Sequence, residues 1–347
     1  MADKRNEFVY LSSSLPSAES RYSILRWGWG GINRTDTIDS GQISDCDGVE
    51  IDPPNITVSH KFTPYAHYAE PIGVFGFDDF LVVIYRDSGK IKLDWRCGND
   101  MRTGVIGDAK NDTLDLRKRS VAQFNVAKNT ENIVASTFER KLLIFPDCVS
   151  MDFRPAASNP ISSLGSTYPK LHLASVYGSR VFGVDSNLVY ASAYNDYANW
   201  DLDTADDTSS AHAWVSMSQS NVKADGEFTG IYTYDNHVVL FKKDFMQLVY
   251  NNKNPFRIVD VGAYGADNPY AIAEANGVLY FASADGVYAF GGGTPKLVST
   301  SLGLQSFTGA VLGGYKDTLY AQIGNTLYRL RNGTWSGSAP VSYTHLT

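Results

Sequence analysis

Ala275-Asn276-Gly277-Val278-Leu-Tyr-Phe-Ala282-Ser-Ala284-Asp285-Gly286-Val287-Tyr-Ala-Phe290-Gly291-Gly-Gly293-Thr-Pro-Lys296-Leu-Val-Ser299 is the stretch whose reading decides the fold. Two apolar runs, Val278–Ala282 and Val287–Phe290, are separated by Ala284-Asp285-Gly286 and preceded by Ala275-Asn276-Gly277. Asn-Gly and Asp-Gly between apolar runs are strong hairpin signals, because the tight turn needs positive φ, which these residues tolerate. Lys296–Ser299 reads as a further strand after the glycine turn.

The same plan recurs downstream. Tyr315-Lys-Asp317 leads into Thr318–Ile323, Gly324-Asn325 into Thr326–Leu330, and Asn332-Gly333 closes the unit. Looser copies lie upstream. Phe77-Asp-Asp leads into Phe80–Tyr85, Phe138-Glu-Arg into Lys141–Phe145, Tyr177-Gly-Ser-Arg into Val181–Val184, and Tyr234-Asp-Asn-His into Val238–Phe241. Taking Phe77, Phe138, Tyr177, Tyr234, Ala275 and Tyr315 as markers gives separations of 61, 39, 57, 41 and 40 residues. A period of roughly 40 with insertions suits four-stranded propeller blades. The strands are apolar on both faces more often than alternating, as sheets sandwiched between neighbours require. The expectation is an all-β chain: a β-propeller of six four-stranded blades, with seven as the upper count, over residues 66–340. A β-sandwich is the rival, but its strands need no repeat at fixed spacing.

Composition agrees. The 347 residues include 21 Tyr, 17 Phe and 30 Gly, a mixture that fits half-buried strands and tight turns. Residues 1–65 do not share the unit; they read as an irregular N-terminal arm carrying Arg26-Trp27-Gly-Trp29-Gly-Gly31 and broken at Pro53-Pro54. Val341-Ser-Tyr-Thr-His-Leu346 matches the translation of a transposase library adapter. Residues 341–347 are therefore expected to be a sequencing scar, with the natural chain continuing past Pro340.

Charge and cysteines narrow the function. A net charge of −7 argues against a protein whose business is gripping nucleic acid. The densest basic run, Arg117-Lys118-Arg119, reads as a solvated loop. Cys46, Cys97 and Cys148 are widely spaced and odd in number, which indicates neither a zinc site nor a disulfide framework, and fits a cytosolic origin. The charged N-terminus has no apolar stretch behind it, so neither a standard secretion signal nor membrane insertion is expected.

Motifs for chemistry are sparse. Asp201, Asp203, Asp206 and Asp207 could gather around calcium, but the loop lacks the EF-hand glycine, and His212 stands where the distal glutamate would be. A solvated acidic loop is the plainer reading, and plainer still for Asp45-Cys-Asp47-Gly48-Val-Glu50-Ile-Asp52. Ser283-Ala-Asp285-Gly286 matches part of a sialidase Asp-box, without the Thr-Trp, and reads as a hairpin turn. The histidines form no HExxH and no triad order, and no GxSxG or P-loop is present. Tyr197, Trp200 and Trp214 could stack on sugars or serve packing. No cofactor is expected.

Four stretches carry a family resemblance. They are Gly30-Gly-Ile-Asn-Arg-Thr-Asp-Thr-Ile-Asp-Ser-Gly-Gln-Ile-Ser-Asp45; Arg180-Val-Phe-Gly-Val-Asp-Ser-Asn-Leu-Val-Tyr-Ala-Ser-Ala-Tyr-Asn-Asp-Tyr-Ala-Asn-Trp200; Thr229-Gly-Ile-Tyr-Thr-Tyr-Asp-Asn-His-Val-Val-Leu-Phe-Lys-Lys-Asp244; and Gly277-Val-Leu-Tyr-Phe-Ala-Ser-Ala-Asp-Gly-Val-Tyr288. In this order they resemble the β-propeller virion proteins of tailed bacteriophages, of the tail, nozzle or stabilisation type. The likeness spans about residues 30 to 335 and departs from the family after Asp45. It implies a non-enzymatic structural subunit, assembled in the bacterial host cytoplasm into the virion, and partnered by other tail proteins. A homo-oligomeric ring is implied too, with Trp27, Trp29, Ile32 and Asn33 as interface candidates. A negative subunit would resist adhesion to DNA passing through such a ring. The enzymatic or sugar-directed alternative is a glycan-binding or glycoside-hydrolysing propeller. It would require paired carboxylates, which sequence spacing cannot test in this fold.

Overall fold

In the computed structural model the described residues are 31–35, 37, 42–43, 49–52, 55–58, 66–68, 70–77, 80–97, 100–108, 119–127, 138–152, 161–202, 209–216, 226–250, 253–303 and 305–338. Trp27, Trp29, Cys46, Asp203, Asp206, Asp207 and residues 341–347 lie outside them.

The chain is all-β and contains six four-stranded antiparallel sheets, each in simple sequential order, the blades of a β-propeller. Blade 1 comprises Glu70–Gly76, Leu81–Asp87, Lys90–Cys97 and Asp100–Asp108. Blade 2 comprises Ser120–Ala127, Phe138–Phe145, Val149–Asp152 and Ile161–Ser163. Blade 3 is Leu173–Tyr177, Arg180–Asp185, Leu188–Ala191 and Trp214–Val215. Blade 4 is Gly230–Tyr234, His237–Phe241, Met246–Tyr250 and Arg257–Gly262. Blade 5 is Ile272–Ala275, Val278–Ser283, Gly286–Phe290 and Lys296–Leu297. Blade 6 is Val311–Tyr315, Thr318–Ile323, Thr326–Arg331 and Thr334–Ser338. Helix among the described residues is limited to the short 3-10 turns Pro269–Ala271 and Thr300–Leu302.

Five of the six sequence markers stand at the connection from a blade's first strand to its second. Phe138 differs: it already belongs to the second strand of blade 2, opposite Ala127. The turn chemistry is as the residues dictate. Gly178-Ser179, Asp235-Asn236, Asn276-Gly277 and Asn332-Gly333 each have both φ values positive, the turn whose twist matches paired strands. Asp285-Gly286 is a correction. The turn residues are Ala284 and Asp285, and Gly286 opens the next strand opposite Ser283. Its hydrogen faces Ser299 Oγ and Leu297, where a Cβ would stand 2.5 and 2.6 Å from them. Glycine is required there by its φ of +154 and by the close fourth strand.

Contacts divide the chain into two compact units. In one, the described residues up to 63 group with those from 273 onward; the other holds residues 64–272. Within the second, apolar layers fill the spaces between successive blades. Val82, Ile84, Ile91 and Leu93 of blade 1 meet Leu142, Ile144, Val149 and Met151 of blade 2. The alternate residues of the same blade 2 strand, Leu143 and Phe145, join Leu171, Ala174 and Val181 toward blade 3. Phe182, Val184 and Val189 of blade 3 then meet Val238, Leu240 and Val249 of blade 4. Strands buried on both faces must be apolar at every position, which explains the unbroken runs Leu142–Phe145 and Val238–Phe241. In the other unit, Gly314 passes so close to the Glu274 carbonyl that any Cβ would overlap it. Asn276 N donates to Lys316 O at 3.0 Å and joins blades 5 and 6.

Candidate functional site

Three places concentrate polar groups or hold sequence candidates. The first is the arm segment Gly31–Thr35. Gly31 adopts φ +77 and lies against Thr334 and Trp335, where a Cβ would collide with the Trp335 carbonyl. Ile32 is 1% exposed and Asn33 7%. These two interface candidates are covered by their own chain, because Asn33 is needed to shape the segment. Its Oδ1 accepts from Thr35 N at 3.0 Å and from Thr35 Oγ1 at 2.7 Å, and its Nδ2 donates to Thr37 O at 3.0 Å. Arg34 does the docking. Its backbone N donates to Ser301 O at 2.7 Å. Its Nη1 donates to Tyr328 Oη at 2.9 Å, with the guanidinium 5.6 Å from that ring's centre. Trp335, beneath, donates Nε1 to Val298 O at 2.7 Å. Sequence reading singled out the neighbourhood but missed Arg34; its partners lie some 270 to 300 residues away and have no local signature.

The second place is the long insertion of blade 3 between Ala191 and Trp214, which carries the acidic candidates. Asp201 is exposed, and its carbonyl accepts from Ala213 N at 2.9 Å. Among the described residues no three His, Cys, Asp or Glu side chains come together as metal ligands. Arg180, only 1% exposed, anchors the insertion. Its guanidinium donates to the carbonyls of Ser192, Ser210 (3.1 Å) and His212 (3.3 Å) and sits 5.4 Å from the Phe256 ring centre. Burial pulls its pKa below the usual arginine value. Asn254 reinforces the same strands of loop, donating Nδ2 to Ser209 O at 2.9 Å and His212 O at 3.3 Å.

The aromatic candidates on this insertion serve packing. Trp214 is 9% exposed and meets Phe256 edge-on at 5.3 Å. Trp200 donates Nε1 to Tyr197 O at 3.0 Å and lies 5.2 Å from Tyr168, while Tyr197 leans on Phe124 at 5.5 Å. Tyr168 also donates to Tyr197 O, and burial holds its hydroxyl pKa well above the ordinary tyrosine value.

The third place is a buried carboxylate in blade 1. Asp94, 3% exposed, accepts from Tyr68 Oη (3.0 Å), Tyr85 Oη (3.0 Å) and Thr103 Oγ1 (2.7 Å), with Arg96 Nη2 at 3.8 Å. Arg96 Nε donates to Tyr68 Oη at 2.8 Å, so the tyrosine passes the positive charge's influence to the carboxylate. Desolvation, then the hydrogen bond to Asp94, pushes the Tyr85 pKa up to about 12. The alternation Lys90-Ile-Lys-Leu-Asp-Trp-Arg-Cys97 places Asp94 and Arg96 on one face, but only register brings Thr103 opposite Asp94.

Arg119 corrects the basic-run reading: it is 1% exposed and grips Asp147 through Nε (2.9 Å) and Nη2 (3.1 Å). A bidentate partner is what allows a buried guanidinium. Cys97 and Cys148 are free thiols, and burial raises the pKa of Cys148. No helix among the described residues is long and apolar enough to cross a membrane.

No protein-family model matches the chain, and no curated protein does. Solved structures do. A streptogramin B lyase aligns at TM-score 0.44 with 10% identity, over 80% of this chain and 85% of that one. PorZ, a surface component of the type-IX secretion system of Porphyromonas gingivalis, aligns at TM-score 0.44 with 12% identity, over 79% of this chain; the match spans 33% of PorZ. A protein of Bacteroides thetaiotaomicron aligns at TM-score 0.41 with 9% identity, over 79% of this chain and 71% of that one.

Proposed function

We propose that the chain is a non-enzymatic structural subunit of a tailed-phage particle, a tail, nozzle or stabilisation protein that assembles into a homo-oligomeric ring with other virion proteins. It would be made in the bacterial host cytoplasm and function in the virion. The observation that supports this reading is where the buried ionic and polar groups are used. Arg119 grips Asp147, Arg180 holds three carbonyls, Lys242 donates to Asn187 Oδ1 at 2.8 Å, and Asp94 gathers two tyrosines and a threonine. Each staples strands or loops of the same chain. Buried charge that fixes the geometry of its own chain in this way suits a scaffold. The resemblance of the four sequence stretches supplies the particle.

Light scattering on the purified chain, with residues 341–347 removed, tests the proposal. A defined closed oligomer is the expected result. A strict monomer that binds or hydrolyses oligosaccharides would overturn it in favour of the sugar-directed alternative.

A further inference from the structure

Asn-Gly occurs twice in the chain, at Asn276-Gly277 and Asn332-Gly333, and the fold makes the two a matched pair. Each is the two-residue turn of a hairpin with both φ values positive, +51 and +70 in the first and +51 and +76 in the second. All four residues are exposed. A Cβ placed on either glycine would meet nothing within 4 Å, so neither turn is covered. In such a setting an asparagine side chain can react with its own backbone. Glycine leaves the following amide nitrogen unshielded, and exposure admits the water that completes the reaction.

The two turns differ in how they are held. Asn276 N donates to Lys316 O at 3.0 Å, which ties the first turn to the next blade. Asn332-Gly333 lies between the paired residues Arg331 and Thr334, and among the described residues neither of the two hydrogen-bonds outside that hairpin. Reaction requires Asn332 to rotate until its Cγ reaches the Gly333 nitrogen, a motion that gives up the turn conformation. At Asn276 the same motion must also break the bond to Lys316.

We propose that Asn332 is a site of self-modification, converted to aspartate and isoaspartate through a succinimide, and that it reacts ahead of Asn276. The Gly333 nitrogen gives its proton to a solvent base and bonds to Asn332 Cγ. The tetrahedral centre then expels the side-chain nitrogen, which leaves as ammonia. Water opens the five-membered imide at either carbonyl, so that asparagine and one water become the acid and ammonia, with no oxidant. The isoaspartate product inserts one backbone carbon into the turn that leads to Thr334 and Trp335, the residues that meet Gly31.

The test incubates the full chain in mildly alkaline water labelled with heavy oxygen, followed by digestion in ordinary water and mass spectrometry of the two Asn-Gly peptides. The label should enter the Asn332 peptide about fivefold faster than the Asn276 peptide, the weight of one ordinary hydrogen bond. In urea, where both turns are open, the two rates should agree within about twofold, because the reacting pair is the same. Equal rates in the folded chain, faster labelling at Asn276, or no label at Asn332 while the unfolded chain reacts would each overturn the proposal. The same fivefold difference persisting in urea would overturn it as well, since the fold would not be its cause.

Discussion

On the face that blade 1 turns toward blade 2, Val82, Ile84, Ile91 and Leu93 are buried in an apolar layer shared with Leu142, Ile144 and Met151. On its opposite face the cross-strand row reads Val74, Val83, Asp94, Thr103, flanked by Tyr85, Lys92, Arg96, Met101 and Val105. There the centre, Val83 and Asp94, is buried while Val74, Met101 and Val105 remain about half exposed. One sheet therefore uses two ways of covering its core. The first face is held by removal of apolar surface from water, which needs only complementary volume. The second is held by hydrogen bonds to one carboxylate, which need particular partners at particular distances.

Substitutions that hit one face at a time should separate these mechanisms. Leu93→Ala deletes a fully buried side chain from the apolar layer and is expected to cost about 2–5 kcal/mol, read as a shift of the urea midpoint. Equal loss from Leu93→Ala and Met101→Ala would contradict the contrast. Asp94→Ala strands the two tyrosine hydroxyls and Thr103 and should cost about 1–3 kcal/mol, less than Leu93→Ala. Tyr85→Phe removes one bond to Asp94 and should cost about 1 kcal/mol at neutral pH.

The same variant has a pH signature. The folded-state pKa of Tyr85 is raised, so above the unfolded tyrosine value near 10 the native state binds more protons than the unfolded one. Its contribution is intact below pH ~10 and is lost as the pH climbs toward about 12. Tyr85→Phe should therefore flatten the alkaline decline of the unfolding midpoint; an unchanged profile would remove Tyr85 from that decline. The smallest effect is expected for Met101→Ser, about half exposed on the polar face, within about 0.5 kcal/mol of the parent.

The repeat was legible because blades 3, 4 and 5 mark their first hairpin with turn residues at positive φ, Asn276-Gly277 being the clearest. The unbroken apolar runs revealed sandwiched sheets before any contact was known. Less was legible at the candidate sites. Arg119 looked like one member of a solvated basic run, since nothing in three consecutive basic residues distinguishes the one that meets Asp147. Arg180 opens a strand in a quoted motif without any sign that it would anchor an insertion ending more than 20 residues later. Gly286 was assigned to a turn when its purpose is to admit Ser299 and Leu297.

The sequence by itself determined the all-β class and the count of six, because turn chemistry and apolar runs are local properties that read directly along the chain. Tertiary structure alone decided what the buried polar residues do. Asp94 became a hydrogen-bond centre, Arg180 a loop anchor, and Arg34 the residue that docks the arm segment Gly31–Thr35 through Ser301 and Tyr328. The reason is physical: a buried charge is tolerated only where its partners converge, and those partners come from strands and loops whose meeting is fixed by register and blade packing, not by their order in the chain.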